Sequence, residues 1–507
     1  MTIDDGAGGT IVISDGLLDL ADMTETLDLW STDSPRRSVP VEFDLGVDVA
    51  TLIEQGHDLA GCVAELAQLA DGDDWSNRRP FAQGRLQEPQ YGADGEGVRA
   101  SIEQDVLSSN ETIDVVPVVS AQVEAAIIAT GLYTLIAGGF SDSIAPIIIG
   151  TPGGGVVGGS SAASVAAVQE IATLNQYVVW LLAGHAVDAT TVLLTNPENQ
   201  TTATATVMNL RVNSATLALG FTNPATSTLT GAPVVEVTWN DGAGLVDETN
   251  GPMETAGDFL AWLLRLTEQQ VDHGRVNAAR EALRAYKIGT YLDESVTIAD
   301  YIREAMLDLV PVSMMTGPNG VYPHVWSYDA TADDAVAHLD VTEDPDIERD
   351  GMVTYEDADK IANTVTLAYA WSPVFDGYTS VISSRGDGRV PRLEFGARAG
   401  DPLDYYADPV LARSFARYGV RRATIETALV HDVLTATRVL AWRSRRWALP
   451  SRVVDYTCPQ RWAWIEPGDF VTVTDPELAW SKRLCLVQSR AWASDGSVRY
   501  TLRVQEG

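Results

Sequence analysis

Thr424-Ile425-Glu426 opens a run to Trp447 that ends in Ala448-Leu449-Pro450, and Pro467-Gly468-Asp469-Phe470-Val471-Thr472-Val473-Thr474-Asp475 follows it. Together these stretches decide how the chain is read. Ile425, Leu429, Val433, Ala436 and Leu440 recur at a spacing of three or four, so the spacing predicts one helix over residues 424–447 that buries a single stripe. Pro450 stops it, because proline disfavours helical backbone at the residue before it. Beyond that point Val453-Val454, Trp462-Ala463-Trp464, Phe470 to Val473, Leu484-Cys485-Leu486-Val487 and residues 500–504 read as short strands. Pro467-Gly468-Asp469 and Ser494-Asp495-Gly496 are the turns between them.

A long helix feeding a small antiparallel barrel, with this turn and strand, resembles the end of the hub proteins at the distal tip of tailed-virus tails. The resemblance extends upstream through residues 259–288, 296–309, 363–369 and 413–419, about half of the chain. It rests on the order and spacing of these motifs together. It implies an α+β, multidomain fold of hub-type β-barrel domains with interspersed helical segments. It also implies a structural virion protein that closes the tail tube, anchors fibres and opens for DNA ejection. The expected partners are two further copies in a homotrimer, the distal tail or tube protein, the C-terminus of the tape-measure protein and the tail fibres, with genomic DNA passing unbound. Two similar barrels per subunit in three subunits would present sixfold-like symmetry to a hexameric tube.

Charge supports a protein with two unlike ends. The 507 residues carry a net charge of −36, and lysine occurs only at Lys287, Lys360 and Lys482. Excess acid suits a salt-loving host, where ions screen self-repulsion, while the arginine bias alone is also what a GC-rich genome gives. Residues 1–380 hold a net −41 and residues 381–507 a net +5, with Arg438, Arg443, Arg445, Arg446, Arg452 and Arg461 close together. Between Arg99 and Arg265 the only basic residue is Arg211, so that stretch cannot grip a nucleic-acid backbone through counterion release. It reads as a repelling wall, and the arginine cluster as either a contact face or a solvated helix face.

Six segments are expected. Residues 1–112 form an N-terminal α/β region with hub barrel strands: a strand at 38–45, a helix at 49–69 with Leu52, Leu59, Val63 and Leu66 inward, and a hairpin over 81–102. Residues 113–187 are an apolar, Gly-rich insertion. Its uncharged run from 125 to 141 falls short of the ~20 residues a spanning helix needs, so no stable membrane span is expected, and it is the candidate for a movable plug. Residues 188–252 alternate Val, Thr and Leu as a β domain. Residues 253–335 are helical, in two segments broken near Asp272-His273-Gly274 and a third over 298–309 capped by Thr297. Residues 336–410 are β-rich, with strands at 365–369 and 378–382, and 411–507 hold the helix and small barrel. Met1 is followed by Asp4 and Asp5 rather than a basic patch and an apolar run, so the expectation is synthesis in the host cytoplasm and arrival at the distal end of the tail by assembly.

Few residues carry chemistry. Gly153, Gly155 and Gly158 match a dinucleotide-binding loop between a strand-like 147–149 and an expected helix over 161–174. The ribose-binding acid is missing, since Asp188 lies about thirty residues on where about twenty is required. Asp346, Glu348, Asp350 and Asp357, with Gly351 between them, overlay a calcium loop, although Asp357 is shorter than the usual bidentate glutamate and Pro345 opposes an entering helix. Calcium is thus the one metal considered, against an acidic turn between strands. The histidines His57, His185, His273, His324, His338 and His431 show no metalloprotease pairing, and no Gly-x-Ser-x-Gly elbow is present. No catalytic or cofactor-binding residues are assigned and no enzyme is expected. The alternative is a tail-associated hydrolase of host envelope glycans, drawing on Trp442, Trp447, Trp462, Trp464, Trp480 and Trp492, which otherwise pack the last barrel. Cys62, Cys458 and Cys485 form no zinc pattern or disulfide framework, although the last two share the final barrel.

Overall fold

Alternation of apolar and polar residues builds the first two sheets. Before residue 253 the computed structural model describes mainly β-strands, with a few residues beside them. From there it describes residues 253–267, 270–292, 294–307, 309–317, 319–327, 329–356, 360–372, 377–392, 404–493 and 497–505. The first sheet runs Thr10–Val12, Thr2–Asp4, Val63–Gln68, Arg79–Tyr91, Gly97–Gln104, Arg37–Asp44, Leu17–Leu20. Val98, Ala100 and Ile102 are buried while Arg99 is exposed, the period of two that a half-buried strand requires. The expected strand at 38–45 and the hairpin over 81–102 are found. Of the helix expected over 49–69, residues 49–61 lie outside the described residues, and Val63–Gln68 is a strand that pairs antiparallel with Arg79–Tyr91, burying Ala64 and Leu66. The helical spacing of Val63 and Leu66 was coincident with a strand of opposite parity.

The second sheet runs Ala163–Ala167, Val234–Val237, Thr191–Thr195, Thr202–Val212, Ala215–Thr222, Tyr177–Ala183, Gln169–Leu174. Trp180, in the strand next to one edge, is buried and donates its indole N–H to Thr222 Oγ1 at 2.9 Å. The three glycines of 153–158 lie outside the described residues. The helix expected after them is replaced by two strands, Ala163–Ala167 and Gln169–Leu174. A helix N-terminus to receive a pyrophosphate is therefore not formed there. Among the described residues, no helix is long and apolar enough to cross a membrane.

Gln122, Ala125, Ala126 and Ala129 are helical, and the helices of the second half begin at Thr255. This residue caps Ala256–Arg265 in a reciprocal box, its side chain accepting from Asp258 N while Asp258 accepts from Thr255 N. Phe259, Leu260, Leu263 and Leu264 are buried along one face. The expected break falls at Asp272, which caps His273–Ala282 by accepting from Arg275 N at 3.1 Å. The third helix is shorter than expected: Ile298–Tyr301 is α-helical and Ile302–Leu307 widens into a π-helix. Thr297 occupies the cap position but makes no side-chain capping bond.

The deciding helix is Val433–Ala448, not 424–447. Asp432 caps it, accepting from Thr435 N at 2.8 Å, and Leu449 turns extended before Pro450. Residues Arg422–Glu426 form instead a strand parallel to Thr364–Ser372, which pairs on its other side with Gly377–Ser383. One apolar core joins the 256–265 helix, the π-helix, the hairpin of Val312–Gly317 and Gly320–Val325, this three-stranded sheet and the 433–448 helix.

The last sheet runs Ala337–Asp340, Phe470–Asp475, Trp480–Trp492, Val498–Val504, Ser451–Cys458, Glu348–Glu356, with Met23–Thr26 added against residues 489–492. The expected strand at 462–464 is absent: Gln460–Trp462 is a turn of 3-10 helix. The sheet curls around Leu339, Ile347, Tyr456, Val471, Val487, Tyr500 and Leu502. Its described end strands are not paired with each other, so the expected closed barrel is an open sheet. Side chains bridge the gap: Arg349 of one end strand reaches Asp475 at 2.8 Å, and Tyr456 donates to the same carboxylate at 2.9 Å. Cys458 and Cys485 share this core but face Val498 and Val504 at opposite ends of one strand, about 20 Å apart at ~3.3 Å per residue. Burial pushes both thiols up to about 12.

Candidate functional site

The Pro467-Gly468-Asp469 turn is where the last sheet meets the helical body. Asp469 N donates to Glu466 O at 3.0 Å and Glu466 N to the Asp469 carboxylate at 2.8 Å, which fixes a tight turn. Gly468 takes φ +95, a left-handed value that glycine adopts without steric cost. Its N–H donates to Val487 O at 2.8 Å, tying the turn to the long strand. The opposite wall comes from far upstream. Arg275 of the second helix pairs with Glu466 at 2.5 Å and lies 4.3 Å over the Tyr322 ring. Between the two walls is an open cleft of about 330 Å³, floored by Ala278, Ala279 and His324.

Electrostatics in this cleft follow from desolvation. Burial, and then the Arg275 charge, pull the His324 imidazole down to about 4, so it is neutral at pH 7. Burial pushes the Asp469 carboxyl up, with Glu466 adding to the shift, while the Glu466 backbone N–H and the nearby arginines oppose it. The cleft thus holds one ion pair, one neutral imidazole and one partly desolvated acid. That composition suits a seam holding two bodies together.

The proposed calcium residues separate. Asp346 pairs with Arg461 at 3.1 Å, and Asp350 accepts from Thr457 Oγ1 at 2.5 Å and lies 3.5 Å from Arg499. Glu348 is exposed on the Glu348–Glu356 strand, and Asp357 lies outside the described residues. Residues 348–356 form a bulged strand where a calcium loop would need a turning loop between helices. Among the described residues no three His, Cys, Asp or Glu side chains converge as metal ligands.

The arginine cluster is neither wholly internal nor a solvated face, with Arg445 and Arg452 half-buried and Arg438 and Arg461 exposed. Arg443 and Arg446 are buried, Arg443 lying 4.4 Å over Trp442 and 5.0 Å over Trp447. Arg445 pairs with the buried Asp408 at 2.6 Å and with Asp329 at 3.1 Å. Arg438 donates to Ala285 O at 2.7 Å, and Arg461 pairs with Asp344. The tryptophans divide likewise. Trp447, Trp462, Trp480 and Trp492 pack on the cores, whereas Trp464 is exposed. Arg275, Tyr322 and His324 had no motif of their own, and the distance in sequence to residue 466 hid their convergence.

Similarities to known proteins fall on this half of the chain and beyond it. The tail protein from Neisseria meningitidis MC58 is similar at 12% identity and TM-score 0.36, over 99% of this chain and 94% of that one. The 43 kDa tail protein of prophage MuSo2 from Shewanella oneidensis is similar at 8% identity and TM-score 0.34, over 99% and 97%. A chain in the virion of a native gene transfer agent particle is similar at 13% identity and TM-score 0.35, over 74% and 86%. No curated protein matches the chain. Residues 398–488, which include the Pro467-Gly468-Asp469 turn, the Val433–Ala448 helix, two strands of the last sheet and part of a third, match the family described as putative phage tail protein, and that match supports a phage tail protein.

Proposed function

We propose that this chain is a structural hub at the distal end of a viral tail tube. The observation that carries the reading is the family match over 398–488, the segment that bolts the last sheet to the helical body. In this reading three copies form a ring under the hexameric tube, meeting the distal tail or tube protein above, the tape-measure C-terminus within and fibres below. The division of charge, −41 before residue 381 and +5 after it, fits a protein whose acidic part faces passing DNA without binding it. High external salt would screen the self-repulsion of that acidic part, so a halophilic host suits it.

Work at this site is mechanical. The Arg275–Glu466 pair and the interlocked Gly468 and His324 join the helical body to the last sheet, so force applied to one is transmitted to the other. The Gly-rich 113–187 segment is the candidate plug that moves at ejection, and because its residues 163–183 are strands of the second sheet, that sheet would move with it. The hydrolase alternative is not favoured by the family match.

The test is immunogold labelling of intact virions with antibody to this chain, together with the mass and rotational symmetry of the particle. Label at the fibre-bearing end and threefold symmetry are expected. Label along the tube, or at the head, would overturn the placement. Hydrogen exchange in assembled tails tests the plug: protection of 113–187 equal to that of the last sheet would remove it.

A further inference from the structure

Several arginines in the described C-terminal half are held by acids of the same chain, but one face is different. Arg417, at the end of the Pro409–Tyr418 helix, and Arg421 and Arg422, at the start of the Arg422–Glu426 strand, are exposed and have no ion pair among the described residues. Arg275, Arg349, Arg445 and Arg461 all have one. On a chain of net charge −36, three neighbouring cations without an acid partner among the described residues are conspicuous. The face also has an apolar centre. Phe415 and Val420 are 37% and 49% exposed, and Ile361, Val420, Arg421 and Arg422 line an open cleft of about 560 Å³. The Arg422–Glu426 strand is the last of its sheet among the described residues.

A second surface of the same chain has the complementary character. Glu348–Glu356 is an end strand of the last sheet, and its register slips between Asp350 and Thr354. Gly351, at φ +86 and with open space for 4 Å around the point where a Cβ would stand, makes the bulge and thrusts Met352 outward to 85% exposure. Tyr355, on the same strand, is 56% exposed. Glu348, exposed and with no ion pair among the described residues, gives this knob an acid at its flank. Methionine is unbranched and adapts to an irregular cleft, and a bulge is a device that aims a side chain.

We propose that the Met352 bulge of one copy of this chain docks in the cleft bounded by Val420, Arg421 and Arg422 of a second copy. Apolar surface meets apolar surface at the centre, and Glu348 faces the arginines at the rim, the pattern of a protein interface. The two patches differ, so the contact is head-to-tail, and its repetition closes a ring or runs on as a filament. The proposal rests on the reading of the chain as a ring-forming tail component and gives that ring its contact. A phosphate backbone is the poorer partner, because nothing in it would cover Phe415 and Val420.

The experiment mixes full-length Met352→Cys protein with full-length Val420→Cys protein under mild oxidation and maps the cross-linked peptides. A 352-to-420 disulfide between copies is expected. In parallel, Arg421→Glu with Arg422→Glu should raise the concentration at half-assembly at least tenfold, read by sedimentation, and Glu348→Lys in the same chain should recover part of it. Absence of the mapped disulfide, unchanged assembly after charge reversal, or a monomer that instead holds duplex DNA through these arginines would each overturn the proposal. A chain that cross-links in this way yet is absent from virion tails would keep the contact and remove the tail reading. A chain present in tails without the cross-link would do the reverse.

Discussion

Gly468 and His324 interlock: a Cβ built on Gly468 would sit 2.7 Å from the imidazole of His324, inside any tolerable contact. The turn and the hairpin strand therefore approach as closely as backbone and ring allow. Glycine is needed twice over, for the left-handed φ and for the missing side chain.

Gly468→Ala should accordingly destabilise the protein by about 2–4 kcal/mol, combining positive-φ strain with overpacking. Pairing it with His324→Ala should return the clash part but leave the φ part. Thermal unfolding of the two single variants and the double variant checks this. Strict additivity would mean that the two positions do not touch.

Acidification between pH 6.5 and 4 should cost stability. Burial holds His324 and His431 down to about 4, so the unfolded chain binds these protons first as pH falls. Their contribution is complete above 6.5 and is lost on the way to 4, at about 2 kcal/mol per ring after allowance for partial exposure. Asp469 works in the opposite direction, since its raised carboxyl takes up a proton more readily in the folded state. Denaturant unfolding at pH 7.5, 5.5 and 4.5 measures the net slope, and His324→Gln should flatten it. A wild-type curve level across that window would refute the assignment.

Asp408 is buried and does two jobs in the segment matched to the tail family. Its Oδ1 accepts from Val410 N at 2.9 Å and Leu411 N at 3.1 Å, capping the 409–418 helix, while Oδ2 pairs with Arg445 at 2.6 Å. Asp408→Ala removes both and should cost about 3 kcal/mol, of which the cap is ~1. Asp408→Asn keeps the cap and should lose less. Equal losses in the two variants would show that the charge is all that matters.

Strands were readable wherever alternation was unopposed, as at residues 38–44, 97–104 and 498–504. Errors arose where two periods coincide. Ile425 and Leu429 fall in step with Val433, Ala436 and Leu440, so they read as one helix, yet Arg422–Glu426 is held as a strand by parallel pairing with Thr364–Ser372. Asp432, a good cap in the middle of that run, was the local sign of where the helix begins. The seam was half legible. Its turn is written in Pro467-Gly468-Asp469, but Arg275, Tyr322 and His324 arrive through tertiary packing, which no local pattern encodes.

Asp475 closes the open sheet without backbone pairing, and its removal tests that role. The carboxylate is buried, accepts from Tyr456 Oη and Arg349, and takes Glu477 N at 3.0 Å. Asp475→Ala leaves a buried hydroxyl and part of a guanidinium unsatisfied. Arg349 keeps Glu477 as a partner, so the loss should lie near the low end for a broken buried pair, about 3 kcal/mol. Asp475→Asn retains hydrogen-bonding capacity and should cost less. Because Arg349 belongs to the same strand as Met352, amide exchange across 348–356 should quicken more in Asp475→Ala than across the interior strand 498–504. Uniform quickening of both strands would mean that the carboxylate stabilises the sheet as a whole and does not pin its edge.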